Sequence, residues 1–116
     1  MIVVKLKPVG KPRMTRRDVW KQRPVVMVYR AYGDELRLKL PHYELPGELR
    51  IVFHLPMPQS WSEKKKAAMD GVPHKQKPDV DNLLKGFMDH LAKDDSHVWR
   101  VEAMKIWSRT GKITIF

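Results

Sequence analysis

The 116-residue sequence contains no cysteine and no long apolar run. The first absence excludes disulfide bridges and thiolate zinc sites, and it is typical of proteins in a reducing compartment. The second matters because a membrane-spanning helix needs about 20 consecutive apolar residues, and the N-terminus also lacks the pattern of a secretory signal. We therefore expect a cytoplasmic protein that makes no contact with a membrane.

Two further absences narrow the chemistry. There is no glycine-rich phosphate loop and no Gly-x-Ser-x-Gly elbow, so we expect neither a nucleotide cofactor nor hydrolysis by a serine of that kind. The five histidines show no metal-ligand spacing, so a zinc site has little support.

Acidic residues are scarce, with 13 Asp and Glu against 23 Lys and Arg, a formal charge of +10. Residues 1–39 hold eleven Lys and Arg against three acids, an excess of eight. This asymmetry favours a polyanionic partner over a merely solubilising surface. A loop from Pro8 to Pro24 mixes cations with Trp20, which either lies against a base or sugar or anchors the loop in the core. The cations predicted to contact DNA are Lys11, Arg13, Arg16, Arg17, Lys21, Arg23 and Lys77.

Apolar periodicity predicts one α+β domain over residues 1–116, with a small mixed sheet, packed helices and the order β-α-β-α-α-β-β. The first strand covers residues 1–6, and Pro24 opens a helix, although residues 25–28 would also suit a strand. The stripe predicted to face the core in that helix is Val25, Val28, Tyr29, Tyr32 and Leu36.

The second half supplies the remaining elements. Residues 49–55 alternate as a half-buried strand, and Ser60 to Glu63 has the capping-box pattern of a short helix that ends at Gly71. Residues 98–108 are strand-like and are predicted to pair, through a turn at Thr110–Gly111, with residues 113–116. The side chains expected on one side of that strand are Trp99, Val101, Ala103 and Trp107.

An acidic helix stands between these elements. Its apolar stripe is Val80, Leu83, Leu84, Phe87, Met88 and Leu91. Five of the thirteen acids fall within the seventeen residues 79–95. In one reading Asp79 caps the helix, Asp81 complements its dipole and Lys85 pairs with Asp81. In the other, carboxylates gathered in a basic protein bind a divalent cation, which offsets their repulsion.

The motif around this helix consists of Lys77, Pro78, Asp79, Asp81, Asn82, Leu83, Lys85, Asp94, Asp95 and Val98. This motif resembles the RusA family of Holliday-junction resolvases. The segments 10–18 and 61–74 are also similar to phage-borne members of that family.

The resemblance implies an endodeoxyribonuclease that resolves four-way junctions by paired phosphodiester hydrolysis in recombination and repair, acting as a homodimer. It implies a metal-binding catalytic triad of Asp79, Asp81 and Asp95, with Lys85 as the essential lysine. Asp94 is the alternative to Asp95. Carboxylate oxygens suit Mg²⁺, with Mn²⁺ as a substitute. Two other functions stay open: a nuclease of broader branched-DNA specificity and a non-catalytic basic DNA-binding module.

Overall fold

The sheet is built on strand β2 (Glu48–Pro56), whose Leu49, Ile51, Phe53 and Leu55 are buried in alternation. The computed structural model describes residues 1–13 and 23–116, and the predicted positions Arg16, Arg17, Trp20 and Lys21 lie outside them. In these residues β2 pairs in parallel with β3 (Arg100–Ser108) and antiparallel with β4 (Lys112–Ile115). Strand β1 (Ile2–Val4) pairs with β4, which makes the sheet order β1-β4-β2-β3.

The predicted element order and mixed sheet are confirmed, but the predicted hairpin between the last two strands is wrong. β2 lies between β3 and β4, and Ser108 of β3 stands beside Pro56 at the end of β2. The chain crosses past that end at residues 109–111, and a Cβ on Gly111 would lie 2.6 Å from the Cα of Lys7. Both strands thereby pair with the most buried strand instead of with each other.

Helix α1 (Pro24–Lys39) begins at Pro24 as predicted, but part of its predicted inner stripe is wrong. Tyr29, Tyr32 and Leu36 are buried together with Val26, whereas Val25 and Val28 are 47% and 56% exposed. Gly33 of α1 lies against the ring of His90, in the helix Val80–Leu91. With α1 in this orientation, Val25 and Val28 lie beside the core instead of in it. Successive residues differ by about 100° around a helix, so a small rotation decides which valine is buried.

Helix α3 (Val80–Leu91) follows the predicted stripe and crosses the core. Leu83 and Phe87 are fully buried, and Phe87 meets the rings of Phe53 and Tyr43 edge to face at 6.5 and 6.2 Å. The far end of α3 joins α1 through His90, whose ring lies 4.3 Å from that of Tyr29.

The short helix α2 (Glu63–Met69) is capped by Ser62, whose hydroxyl accepts the Lys65 N–H at 3.1 Å. The predicted capping box from Ser60 is therefore wrong, because Glu63 already stands inside the helix and pairs with Arg109 at 2.9 Å. Gly71, at φ 79°, follows the end of α2 in the left-handed region that favours glycine.

The apolar side predicted for β3 is buried only near its C-terminal end. Trp107 is buried and packs against Trp61 and His74, with ring centroids 4.8 and 4.1 Å away. Trp99, which precedes β3, is 71% exposed, and Val101 is also exposed. The whole of β3 is an edge strand of the sheet, where alternation alone does not ensure burial.

In the described residues, no helix combines the length and the apolar character that a bilayer crossing requires.

Candidate active site

A cleft of about 440 Å³ opens at the start of α3. Its walls come from three places: the segment 7–11, the first turns of α1 and the turn that leads into α3. Asp79 and Asn82 line this cleft from α3, and Val25 and Val28 line it from α1. The two valines that leave the predicted core stripe therefore form part of the cleft wall.

Two glycines let the segment 8–11 lie directly on α3. A Cβ on Gly86 would stand 3.1 Å from the carbonyl oxygen of Val9, and a Cβ on Gly10 would stand 2.9 Å from the Cβ of Pro78. The Lys11 N–H donates to the Asn82 carbonyl at 3.0 Å. The backbone of this segment is thus held against the first turns of the acidic helix.

The turn that precedes α3 is held by Lys105, which reaches across from β3. Its Nζ donates to the carbonyl oxygen of Pro78 at 2.8 Å and also to that of Gln76. The Lys77–Pro78 peptide between these two carbonyls is cis. Lys105 therefore fixes the chain immediately before Asp79. The sequence interpretation missed this residue, although a lysine interrupting the apolar alternation of Ala103 and Trp107 was a visible signal.

The first two predicted catalytic carboxylates stand at the start of α3. Asp79 occupies the N-cap position, as predicted, but its carboxylate makes no capping hydrogen bond. Asp81 lies in the first turn, 4.0 Å from the Lys85 ammonium, with its side chain 65% exposed. Both carboxylates are therefore open to solvent at a helix N-terminus, where the N–H groups and the dipole favour negative charge.

Asp94 and Asp95 follow the other end of α3. The Asp94 carboxylate accepts the Ser96 N–H at 2.9 Å, and this hydrogen bond lowers the pKa of Asp94. The Asp95 carbonyl accepts the Val98 N–H. The pair follows a helix of twelve residues, whose axis is about 18 Å long.

Across residues 1–13 and 23–116, no three His, Asp or Glu side chains form a group that could hold a metal ion. The structure therefore does not bring Asp79, Asp81 and Asp95 together. Mg²⁺ commonly takes only one or two carboxylates and completes its shell with water and phosphate oxygens. Asp79 and Asp81 fit that smaller donor set, while Asp95 stays a prediction.

Several predicted DNA-binding cations border the cleft and the groove next to it. Lys11, Arg13 and Lys85 line that neighbouring groove together with Asn82, and Lys77 lines the cleft itself. The Arg23 guanidinium donates to the Arg13 carbonyl at 2.8 Å.

Two charged residues of this region had no assigned role in the prediction. Lys7 also lines the cleft, where Gly111 brings the chain close to it. Asp89, on α3, forms an ion pair with Lys11. One predicted phosphate contact thus has a carboxylate partner within the protein.

Residues 6–116 match the family model described as endodeoxyribonuclease RusA. Comparisons with curated proteins and with solved structures returned no match. The family match covers nearly the whole chain, including α3, β3 and most of the cleft wall, and it confirms the resemblance drawn from the motif.

Proposed function

The chain belongs to the RusA endodeoxyribonuclease family, and we propose that it is a Mg²⁺-dependent enzyme that cuts four-way DNA junctions at the start of α3. The family identifies a hydrolase that acts on phosphodiester bonds of DNA and resolves branched junctions. Beyond the family's activity, we propose the metal, the site residues and the paired cuts for this chain.

The observation that carries the proposal is the pair Asp79 and Asp81. In the described part of the chain, Asp79 makes no side-chain hydrogen bond or ion pair, and Asp81 has only the distant Lys85. Lys7, Lys11 and Lys77 line the same cleft as Asp79, and the Lys85 ammonium lies 4.0 Å from the Asp81 carboxylate. Two open carboxylates among cations suit a divalent ion that is shared with a phosphate.

Asp79 and Asp81 would hold the ion, and when bound it would supply charge to the scissile phosphate and acidify a water molecule. The protein's own part is positioning. Lys85, one turn after Asp81, would neutralise charge that develops on the phosphate. Lys105 would keep the turn before Asp79 in place through its two carbonyl contacts. The expected products are a 5′ phosphate and a 3′ hydroxyl.

Asp95 is the third carboxylate that the family resemblance assigns to the site. Its neighbour Asp94 already serves the local turn at Ser96, which favours Asp95 as the available member of the pair. We expect Asp95→Asn to lower cleavage much more than Asp94→Asn. Equal and small effects in both variants would remove Asp95 from the site and leave Asp79 and Asp81.

The test of the proposal is cleavage of a synthetic four-way junction beside a matched linear duplex, with and without Mg²⁺. Asp81→Asn should abolish cleavage and leave junction binding and the fold unchanged. Cleavage by the folded variant at the wild-type rate would contradict the metal assignment. Rapid cutting of forks and flaps would instead favour a nuclease of broader branched-DNA specificity.

The basic segment is proposed to contact the DNA backbone through Lys11, Arg13, Arg16, Arg17, Lys21, Arg23 and Lys77. Each phosphate contact releases counterions, so affinity falls steeply with salt. Replacing Arg13, Arg16 and Arg17 with Gln should weaken junction binding and flatten the slope of log affinity against log salt. An unchanged slope would place these residues away from the DNA.

We further propose a homodimer, because a junction offers two equivalent strands and an isologous pair presents two matching sites. Trp61 and Trp107 pack on each other, whereas Trp99 is exposed. A cruciform plasmid becomes linear only if both cuts occur in one binding event. Monomers in sedimentation, together with nicked circles alone, would contradict the dimer.

A further inference from the structure

We propose that the cleft beside Asp79 takes up one unstacked nucleobase of the DNA, next to the phosphodiester that is cut. This inference rests on the proposed function and adds a binding site to it. The cleft is lined by Asp79 itself, so a nucleotide whose base enters it places its own phosphate close to the proposed metal ligands.

The walls of the cleft are largely aliphatic. Pro8, Val9, Val25, Val28 and Pro78 line it, and its volume of about 440 Å³ lies in the range of small-molecule sites. Val25 and Val28 remain about half exposed although they belong to a helix that packs on the core. A flat base would cover this apolar surface, as bases do when they leave the stack and enter protein pockets.

The rim of the cleft carries positive charge, which complements the negative phosphates of the DNA. Lys7, Lys11 and Lys77 surround the apolar walls. Lys11 is partly neutralised by Asp89, but in residues 1–13 and 23–116 no carboxylate forms an ion pair with Lys7 or Lys77. These two ammonium groups are positioned for phosphates that flank an extruded base. An apolar ligand without negative charge would leave them unused.

Asn82 provides a group that can read the edge of the base. Its backbone carbonyl holds Lys11, while its side-chain amide makes no hydrogen bond within the described residues and lines both the cleft and the neighbouring groove. An amide carries donors and an acceptor, as the edge of a base does. Asn82 would therefore contribute sequence preference, whereas the valines and prolines accept any base.

A four-way junction lowers the cost of this step. Extruding a base costs the stacking and pairing energy that the duplex supplies, and the cost is lowest where stacking is already interrupted. At a branch point the helices stack less continuously than in a linear duplex. A base-accepting cleft beside the metal ligands would thus favour cleavage at branch points over cleavage within duplexes.

The experiment uses junctions that carry 2-aminopurine at each position within two nucleotides of the cut. The full-length protein is added without Mg²⁺, so that the DNA stays intact. At one position we expect a several-fold rise in fluorescence, because the base leaves the stack and enters a cleft with aliphatic walls. Val28→Phe fills the cleft and should remove the rise while junction binding persists. Leu38→Phe changes an exposed residue of the same helix outside the cleft lining and should keep it.

The outcomes separate this inference from the proposed function. Failure of the wild-type protein to cut junctions with Mg²⁺ would overturn the proposed function, and the base site with it. Efficient cutting with no fluorescence rise at any position would overturn the base site alone. A rise that persists in Val28→Phe and in Val25→Phe would show that the base unstacks elsewhere. Should both variants fail to fold, the wild-type signal, present or absent, decides.

Discussion

At the start of α3 the carboxylates of Asp79 and Asp81 stand in solvent, whereas two carboxylates near its far end are engaged by neighbours. Asp89 pairs with Lys11, and Asp94 accepts the Ser96 N–H. The ring of His90 lies so close to α1 that a Cβ on Gly33 would come within 2.2 Å of its Nδ1.

The difference shows how one helix serves two purposes. At the far end, side chains from α1 and from the segment 8–11 fasten α3 to the rest of the fold. At the start, the backbone is fastened instead, through Lys105 and the Gly10 and Gly86 contacts. Backbone anchoring leaves the first two carboxylates available for a ligand, which is the arrangement a preorganised site requires.

The largest effect is expected from releasing the anchored turn at the start of the helix. Lys105→Met removes the donor to the Gln76 and Pro78 carbonyls, so Asp79 loses its fixed position. Because small displacements of reacting groups can cost up to about a hundredfold in rate, we expect junction cleavage to fall roughly tenfold to a hundredfold. The rate of junction cleavage under single-turnover conditions measures this fall.

Lys105→Arg, which can still donate to carbonyls, should recover part of the rate lost in Lys105→Met. Lys64→Met, on the exposed face of α2, is the matched loss of a lysine. Equal rates in Lys105→Met and Lys64→Met would mean that the turn holds its place without Lys105.

A substitution at the far end of α3 is expected to lower the free energy of unfolding. Gly33→Val forces a side chain into the space occupied by the His90 ring, and overpacking of this kind typically costs about 1–3 kcal/mol. Urea unfolding measures the loss. His90→Ala in the same chain should return part of it, and the double-mutant cycle isolates the contact. Additive effects of the two substitutions would show that Gly33 and His90 do not interact.

A smaller effect is expected from pH, again at the far end. Burial, with a contribution from Arg37, lowers the pKa of His90 below its usual value, against weaker opposing effects of a hydrogen bond to the Tyr29 backbone and of the Asp89 and Asp34 carboxylates. The unfolded chain then binds the proton first, near pH 6.5. The stability from neutral His90 is complete above that pH and is lost as pH falls through the lowered pKa.

Urea midpoints at pH 7.5 and 5.5 test this sign. His90→Phe keeps a ring but cannot titrate, so the acid-induced loss should shrink in that variant. It should not vanish, since burial also lowers the pKa values of His54 and His74. His42→Phe changes an exposed histidine and serves as the control. An unchanged loss in His90→Phe would exclude His90 as its source.

The smallest effect on stability is expected from Lys85→Met. The ammonium of Lys85 and the Asp81 carboxylate are 4.0 Å apart and both side chains are well exposed. Such i, i+4 pairs contribute about 0.2–0.5 kcal/mol. We expect an almost unchanged urea midpoint together with a clear loss of cleavage. A large loss of stability with normal cleavage would reverse the assignment and make Lys85 structural.

The sequence by itself determined the features that depend on near neighbours. The stripe from Val80 to Leu91 specifies α3, alternation specifies β2, and Pro24 marks the start of α1, because helix and strand periods are local properties of the chain. The motif from Lys77 to Lys85, followed by Asp94, Asp95 and Val98, also pointed to the family that the family model confirms.

Only the tertiary structure decided the features that depend on contacts between residues far apart in the sequence. β4 pairs with β2 because a buried central strand gives β4 more buried contact than a hairpin with β3 would. Val28 faces the cleft because Gly33 turns α1 towards His90. The Lys105 contact with Pro78 crosses 27 residues of sequence. Asp79, Asp81 and Asp95 form no single metal-binding group among the described residues, because side chains far apart in sequence meet only as the packing of the whole domain allows.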